Sequence, residues 1–273
     1  MECRVATLCD YQSSEGPGEW NSGILNIDLV SWDQFHDVIA NLLEHGDFIW
    51  RGQRDDWELR SKFDRVVKEK EDRAARLEEH KQIFERAIRG RRGQNPPQLD
   101  DDEIWALGQH YGLATPLLDW TESPFVATYF AFREKPNGFT QETTSSRYIY
   151  GLSKDLGRWG PSNSPDTEPY DHFIEFVEPL SDENPRLLNQ RGLFTNPFFE
   201  SVDIRRIVQN CYAKDQNAEK KRIIFVEISI PESERIKCLR NLNSMNINHA
   251  TLFPDLTGAA EYCNVKLEID DYS

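Results

Sequence analysis

Residues 115–132, TPLLDWTESPFVATYFAF, decide how this chain is built. The run up to Glu122 is short and rich in branched and aromatic residues, which suits an extended segment. Ser123 then offers a side-chain oxygen to the orphan amides of a helix start, and Pro124 fits the first helical position, where no amide is needed. The helix it opens is apolar almost all round (Phe125, Val126, Ala127, Tyr129, Phe130, Ala131), so it must be covered on every side. A strand feeding a central buried helix is the expectation for this stretch.

Working toward the N-terminus, Asp100–Asp102 form an acidic start for a helix carrying Ile104, Leu107 and Tyr111. Asn95-Pro96-Pro97 breaks the chain before it. Phe63–Gly93 has a charged helical pattern whose apolar stripe is Leu77, Ile83, Phe84, Ala87 and Ile88. Its basic end (Arg86, Arg89, Arg91, Arg92) suits a helix C-terminus. Phe48-Ile49-Trp50 predicts a buried strand running into Arg51-Gly52-Gln53. Ser31 and Gln34 have capping-box spacing ahead of Trp32, Phe35, Val38, Ile39, Leu42 and Leu43 on one helical face, ended by His45-Gly46. Gly23–Ile27 reads as a short strand.

Toward the C-terminus, a polar loop spans 134–146. Strands are expected at 148–152, 173–177 and 222–230, the last with Ile224, Val226, Ile228 and Ile230 on one side. A Pro- and Ser-rich loop covers 157–170, and helices are expected near 182–190, 201–212, 231–246 and 255–265. Helices and strands mix without regular β-α-β alternation, which predicts an α+β fold with a mixed or split central sheet flanked by helices. Residues 1–30 read as a polar extension and 31–273 as one domain.

Among the 273 residues, 38% are hydrophobic and 11% aromatic, enough for a real core and against general disorder. No apolar run approaches the ~18–20 residues of a membrane span, so no membrane partner is expected. Met1-Glu2-Cys3-Arg4 lacks the pattern of a secretory leader. Five scattered cysteines (Cys3, Cys9, Cys211, Cys238, Cys263) fit reduced thiols, and the expected location is the cytoplasm. The six histidines are isolated, so no metal centre is expected. With 32 basic against 47 acidic side chains the net charge is −15, which disfavours coating by nucleic acid but leaves a local basic groove open.

Three clusters could carry chemistry. Arg51 beside Gly52 could present a two-pronged fork to a phosphate or carboxylate, or serve a structural ion pair. Gln109, His110 and Tyr111, bracketed by Gly108 and Gly112, could border a ligand or make a helix–helix contact. Asp119, Thr121 and Ser123 gather a carboxylate and two hydroxyls at a helix start that favours anions, though capping accounts for part of Ser123. Asp255 is a second acid of interest, with helix capping as its plainer role.

Taken together, FIWRGQ (48–53), Trp57 and Leu59, WALGQHYGLATPLLDWTESPFVATYFA (105–131), QRGLF (190–194) and FPDLTG (253–258) resemble the FRG domain. That family is named for a Phe-Arg-Gly motif, whose Phe position here is Trp50. The resemblance implies a bacterial protein, with toxin or phage-defence systems as the setting. More distantly, the order of clusters is similar to the ADP-ribosyltransferase fold. That likeness implies NAD as a substrate, held by Arg51 and the Thr121-x-Ser123 motif with Ala127 and Phe130 following. Gln53, Gln109, Tyr111 and Tyr129 are then further candidates for NAD contact. The family's glutamate would fall near Gln190 or Gly192, where this chain has none. Arg51, His110, Asp119 and Gln190 are therefore the candidate catalytic set, with Asp119 either supplying the missing carboxylate or orienting Arg51. The readings that compete are an NAD-consuming effector, a binding module for a nucleotide-like small molecule, and an RNA-directed toxin using 86–92 and 205–206. A protein or RNA target and a neutralising partner belong to the effector readings.

Overall fold

The computed structural model describes residues 18–21, 23–67, 72–135, 145–158, 174–179, 185–197, 203–214 and 223–272. The expected Pro- and Ser-rich loop lies almost wholly outside them. Eight strands form one sheet: β1 Gly18–Asn21, β2 Ile24–Asp28, β3 Phe48–Gln53, β4 Leu118–Thr121, β5 Ser146–Ser153, β6 Ile174–Val177, β7 Gly192–Pro197 and β8 Phe225–Pro231. Their order across it is β1-β2-β8-β5-β3-β4-β7-β6. Among the described residues only β2 and β8 run parallel, so the sheet is mixed. The helices are α1 Asp33–Leu43, α2 Lys62–Val66, α3 Arg73–Ala87, α4 Asp101–His110, α5 Pro124–Phe132, α6 Pro185–Asn189, α7 Ile204–Lys214, α8 Arg235–Ser244, α9 His249–Leu252 and α10 Leu256–Glu268. The fold class is α+β, as the pattern of elements predicts.

Strand alternation sorts the core onto two faces. Trp50, Ile149, Val226 and Ile228 point to the face covered by α1, α5 and α8. Ile49, Leu152, Phe225 and Trp120 point to the opposite face, covered by Ile204, Ile207 and Val208 of α7. Ile224, expected beside Val226, packs with this second group because it precedes the strand and escapes its alternation.

The helix α5 lies on β3 as closely as a backbone allows. A Cβ on Gly52 would fall 1.8 Å from the carbonyl oxygen of Ala127, so only glycine fits there. Both ends of α5 are tied. Ser123 Oγ accepts from the amide of Val126 at 3.3 Å. At the other end two buried arginines replace the missing intrahelical donors. Arg147 donates to the carbonyls of Ala131 at 3.0 Å and Glu134 at 3.1 Å. Arg235 donates to Phe132 at 2.9 Å and Arg133 at 3.2 Å. Glu232 and Glu268 balance the two charges.

Two further expectations change. The helix expected over Phe63–Gly93 is two, α2 and α3, because Ser61 and Asp72 each cap a separate start through the amides of Asp64 and Ala75. α3 buries no residue fully. Leu77 only half-packs, against the Trp105 cluster, and Ile83 faces solvent. The box expected from Ser31 and Gln34 is displaced by one residue. Gln34 Oε1 accepts from Val30 N at 3.0 Å, and the Trp32 amide is held instead by Glu234 at 2.8 Å.

Candidate functional site

β3 and β4 run antiparallel but pair only at Trp50 and Thr121. Beyond that point Arg51–Gln53 and Leu118–Trp120 lie apart without a ladder, and the sheet is split. The Arg51 guanidinium crosses the gap, donating through one NH to the carbonyl of Asp119 at 2.7 Å and through Nε to Gln53 Oε1 at 3.4 Å. It stands 3.8 Å from the Asp119 carboxylate. The cleft at this split has a volume of about 400 Å³. Its walls carry Arg51, Arg54, Arg65 and Arg133 against the acids Asp119 and Glu134, with Trp50, Trp57, Phe130 and Phe253 as its aromatic surface.

Electrostatically the floor is cationic and poorly hydrated. Arg51 is 19% exposed, and burial pulls its pKa below the ordinary value. Asp119 opposes that shift, and the positive charge of Arg65 adds to it. Asp119 itself is 64% exposed, and its carboxylate accepts from Gln109 Nε2 at 2.6 Å. Gln109 is fixed in turn by Thr115. Arg54 and Arg133 both reach the Glu134 carboxylate, at 3.4 and 3.5 Å, so an anion brought into this cleft would compete with carboxylates already beside Arg51, Arg54 and Arg133.

The structure brings Arg51, Gln53, Asp119, Thr121 and Gln190 to the cleft wall. Gln53 is buried and donates to the Trp57 carbonyl at 2.9 Å, which fixes the turn carrying Arg54. Thr121 Oγ1 donates to the Gln190 carbonyl at 2.6 Å and accepts from Ser123 N at 3.1 Å. Gln190 Nε2 donates to Leu252 O at 3.1 Å, so its side chain ties α9 to the cleft. Glu122, between the two hydroxyl residues, is occupied by Lys154 at 2.6 Å and Arg191 at 2.9 Å.

Other candidates lie outside the lining. Ser123 caps α5. Gln109 stands behind Asp119. Tyr129 is in the core, its hydroxyl 2.9 Å from His249 Nδ1, and burial pushes its pKa well up. Tyr111 is 74% exposed at the end of α4, edge-on to His110. His110 is lowered by burial and by the charge of Arg186, with Asp255 opposing. Asp255 caps α10 through Gly258 N at 2.8 Å and binds Arg186. Arg65 and Arg133 were not singled out by sequence, and Trp57 and Phe253 entered only as parts of the family resemblance. Phe253 lies in the FPDLTG motif, but nothing local marks Arg65 or Arg133 among the many surface arginines. Arg205, offered to RNA by the sequence, is enclosed by Asp203, Asp56 and Glu227 at 2.9, 2.6 and 3.4 Å.

Residues 46–138 match the FRG domain family. This FRG segment is about a third of the chain and runs from β3 through α5. It carries most of the cleft wall, while Gln190 and Phe253 reach the cleft from outside it. No curated protein and no solved structure matches this chain significantly. Among the described residues no helix is long and apolar enough to cross a membrane, and no cluster of His, Cys, Asp or Glu could hold a metal ion.

Proposed function

We propose that the split between β3 and β4 binds an anionic, ring-bearing small molecule of the nucleotide class, with NAD as the ligand. Arg51 and Arg65, together among the described residues of one cleft in a chain of charge −15, carry this reading. A pyrophosphate on Arg51, with Arg65 beside it, would supply the negative charge that the floor lacks. Phe130, Phe253 and Trp57 offer faces for a planar ring.

The reaction that goes with this reading is ADP-ribosyl transfer. The bond from the ribose to nicotinamide breaks, nicotinamide leaves with the electron pair, and a nucleophile on the acceptor adds to the sugar carbon. Positive charge develops on the ribose, and a carboxylate near it lowers the barrier. Asp119 is the motif acid in the cleft, held by Gln109 and close to Arg51. The FRG resemblance alone supports a toxin or phage-defence setting. Binding without turnover is the second reading. Its support is that the distant resemblance puts the glutamate's place near Gln190 or Gly192, neither of them an acid, and that the Gln190 amide is committed to Leu252.

The test is thermal denaturation and calorimetry with NAD and with inorganic pyrophosphate, alongside an assay of nicotinamide release. Binding of both, lost in Arg51→Ala, is expected. Release of nicotinamide that disappears in Asp119→Asn supports transfer, and tight binding with no release supports the second reading. Failure of both probes to bind sinks the proposal.

A further inference from the structure

Among the described residues Trp57 is the most exposed aromatic side chain of the cleft wall, at 44%, whereas Trp50 and Trp120 are buried. The two phenylalanines of that wall are more engaged. Phe253 stacks on His249 with ring centres 4.4 Å apart, and the guanidiniums of Arg133 and Arg186 lie over it at 5.8 and 5.5 Å. Phe130 carries Arg133 at 5.4 Å and the edge contact of Phe253 at 6.0 Å. Trp57 has the Arg54 guanidinium over its ring at 5.3 Å. A cation covers one face of an indole, and the exposure of the ring leaves the other free for a ligand.

The main chain that carries this ring is tied to the anion end of the cleft. The Trp57 amide donates to Asp55 O at 2.8 Å, closing a tight turn. Its carbonyl accepts from Gln53 Nε2 at 2.9 Å, and Gln53 Oε1 accepts from Arg51 Nε at 3.4 Å. Gln53 is buried, so one side-chain amide sets the reach from the Arg51 guanidinium to the indole. Through an NH the same guanidinium reaches the Asp119 carbonyl on β4. A bare anion has no use for a ring held at fixed reach, but a nucleotide gains affinity from it.

We infer that Trp57 seats the adenine ring, on the face opposite Arg54, and makes the cleft selective for adenine nucleotides over other anions. NAD has two rings that compete for this place. The nicotinamide ring carries a positive charge, and Arg54 already brings one to the indole, its counter-charge Glu134 being shared with Arg133. Adenine is uncharged and stacks on an aromatic face, and its ring nitrogens accept from a guanidinium. With adenine on Trp57 and the phosphates on Arg51, the nicotinamide ribose is left to the Asp119 side. This rests on the nucleotide reading of the cleft and adds which end of the molecule lies where.

The experiment is calorimetry of the full chain with inorganic pyrophosphate and with two mononucleotides, AMP and nicotinamide mononucleotide, which carry one phosphate each. AMP is expected to bind at least tenfold more tightly than nicotinamide mononucleotide. Trp57→Ala should weaken AMP about tenfold, the lower part of what a base stacked on an aromatic ring is worth, and erase the preference, while Trp57→Phe keeps most of it. Three results overturn the inference and leave an anion cleft standing, provided that pyrophosphate binds the wild type. They are no preference for AMP, a preference that survives in Trp57→Ala, and a pyrophosphate affinity that falls as far as that of AMP in this variant. No binding of pyrophosphate or NAD overturns both readings. If Trp57→Ala does not fold, the ¹⁵N-labelled wild type decides: the Trp57 indole N–H signal must shift with AMP and stay in place with pyrophosphate.

Discussion

Replacing Gly52 with alanine would set a methyl carbon 1.8 Å from the Ala127 carbonyl oxygen and 2.8 Å from both the Ala127 carbonyl carbon and the Ala131 nitrogen. All three are backbone atoms, so no side chain can rotate away. Ordinary contact begins near 3.4 Å, and α5 would have to lift by about 1.5 Å. That helix cannot lift freely, because Ser123 holds its start and Arg147 and Arg235 hold its end. Overpacking a core costs about 1–3 kcal/mol, and a clash with anchored backbone belongs at or above the top of that range. At about 3 kcal/mol the melting temperature should fall by about 6–12 °C for a chain of this size. Phe130 and Arg133 would move with the helix, so NAD binding should weaken too. Gly112→Ala is the comparison: nothing lies within 4 Å of its Cβ, and its φ of +87° leaves only backbone strain, worth about 1–2 kcal/mol. Urea denaturation of both variants checks the difference. A Gly52→Ala protein within about 1 kcal/mol of wild type would refute the claim that β3 and α5 meet through bare backbone.

Arg147→Met leaves Glu232 without its partner and opens the end of α5, and the urea midpoint should report a loss of about 3–5 kcal/mol. Asp119→Asn should barely change stability, since the exposed pair is worth at most about 1 kcal/mol and the Arg51 NH bond goes to a backbone carbonyl. The same variant should bind pyrophosphate a few-fold more tightly by calorimetry, because a competing negative charge is gone. His249 is pulled below its ordinary 6.5 by burial and by the charge of Arg133. The unfolded chain therefore takes up that proton first, so the stabilisation is complete above about pH 6.5 and is lost as pH falls through the lower folded value. Denaturation midpoints should drop on acidification, and His249→Gln should flatten the drop while His110 keeps its share; equal slopes would exclude His249.

Local signals were legible where one side chain meets a nearby amide. The acidic start at Asp100–Asp102 and the Ser123-Pro124 start stand where the sequence puts them, and the structure adds a capping box between Asp100 and Glu103. Strand β3 also ends in Arg-Gly-Gln as read. What depends on distant partners was hidden. Arg147 and Arg235 look like ordinary surface charges until the fold sets them under α5. Trp32 is capped by Glu234, some two hundred residues away. The split that makes the cleft is a failure of pairing between β3 and β4, and missing hydrogen bonds leave no mark on either strand's composition. Arg65 and Arg133 join Arg51 only through that geometry.

The parallel pair at one side of the sheet has a consequence for synthesis. β2 is complete by residue 28, but the strand it docks on ends at 231. At about 5–20 residues per second a ribosome needs roughly 10–40 s to deliver that partner. Strands β3 to β7 can assemble in the meantime, leaving the β5 border bare until β8 emerges. The nascent chain thus carries two unclosed borders until the wedge that joins them, complete at residue 231, has been made. Truncation before residue 225 should leave a soluble fragment dependent on chaperones rather than a smaller native protein.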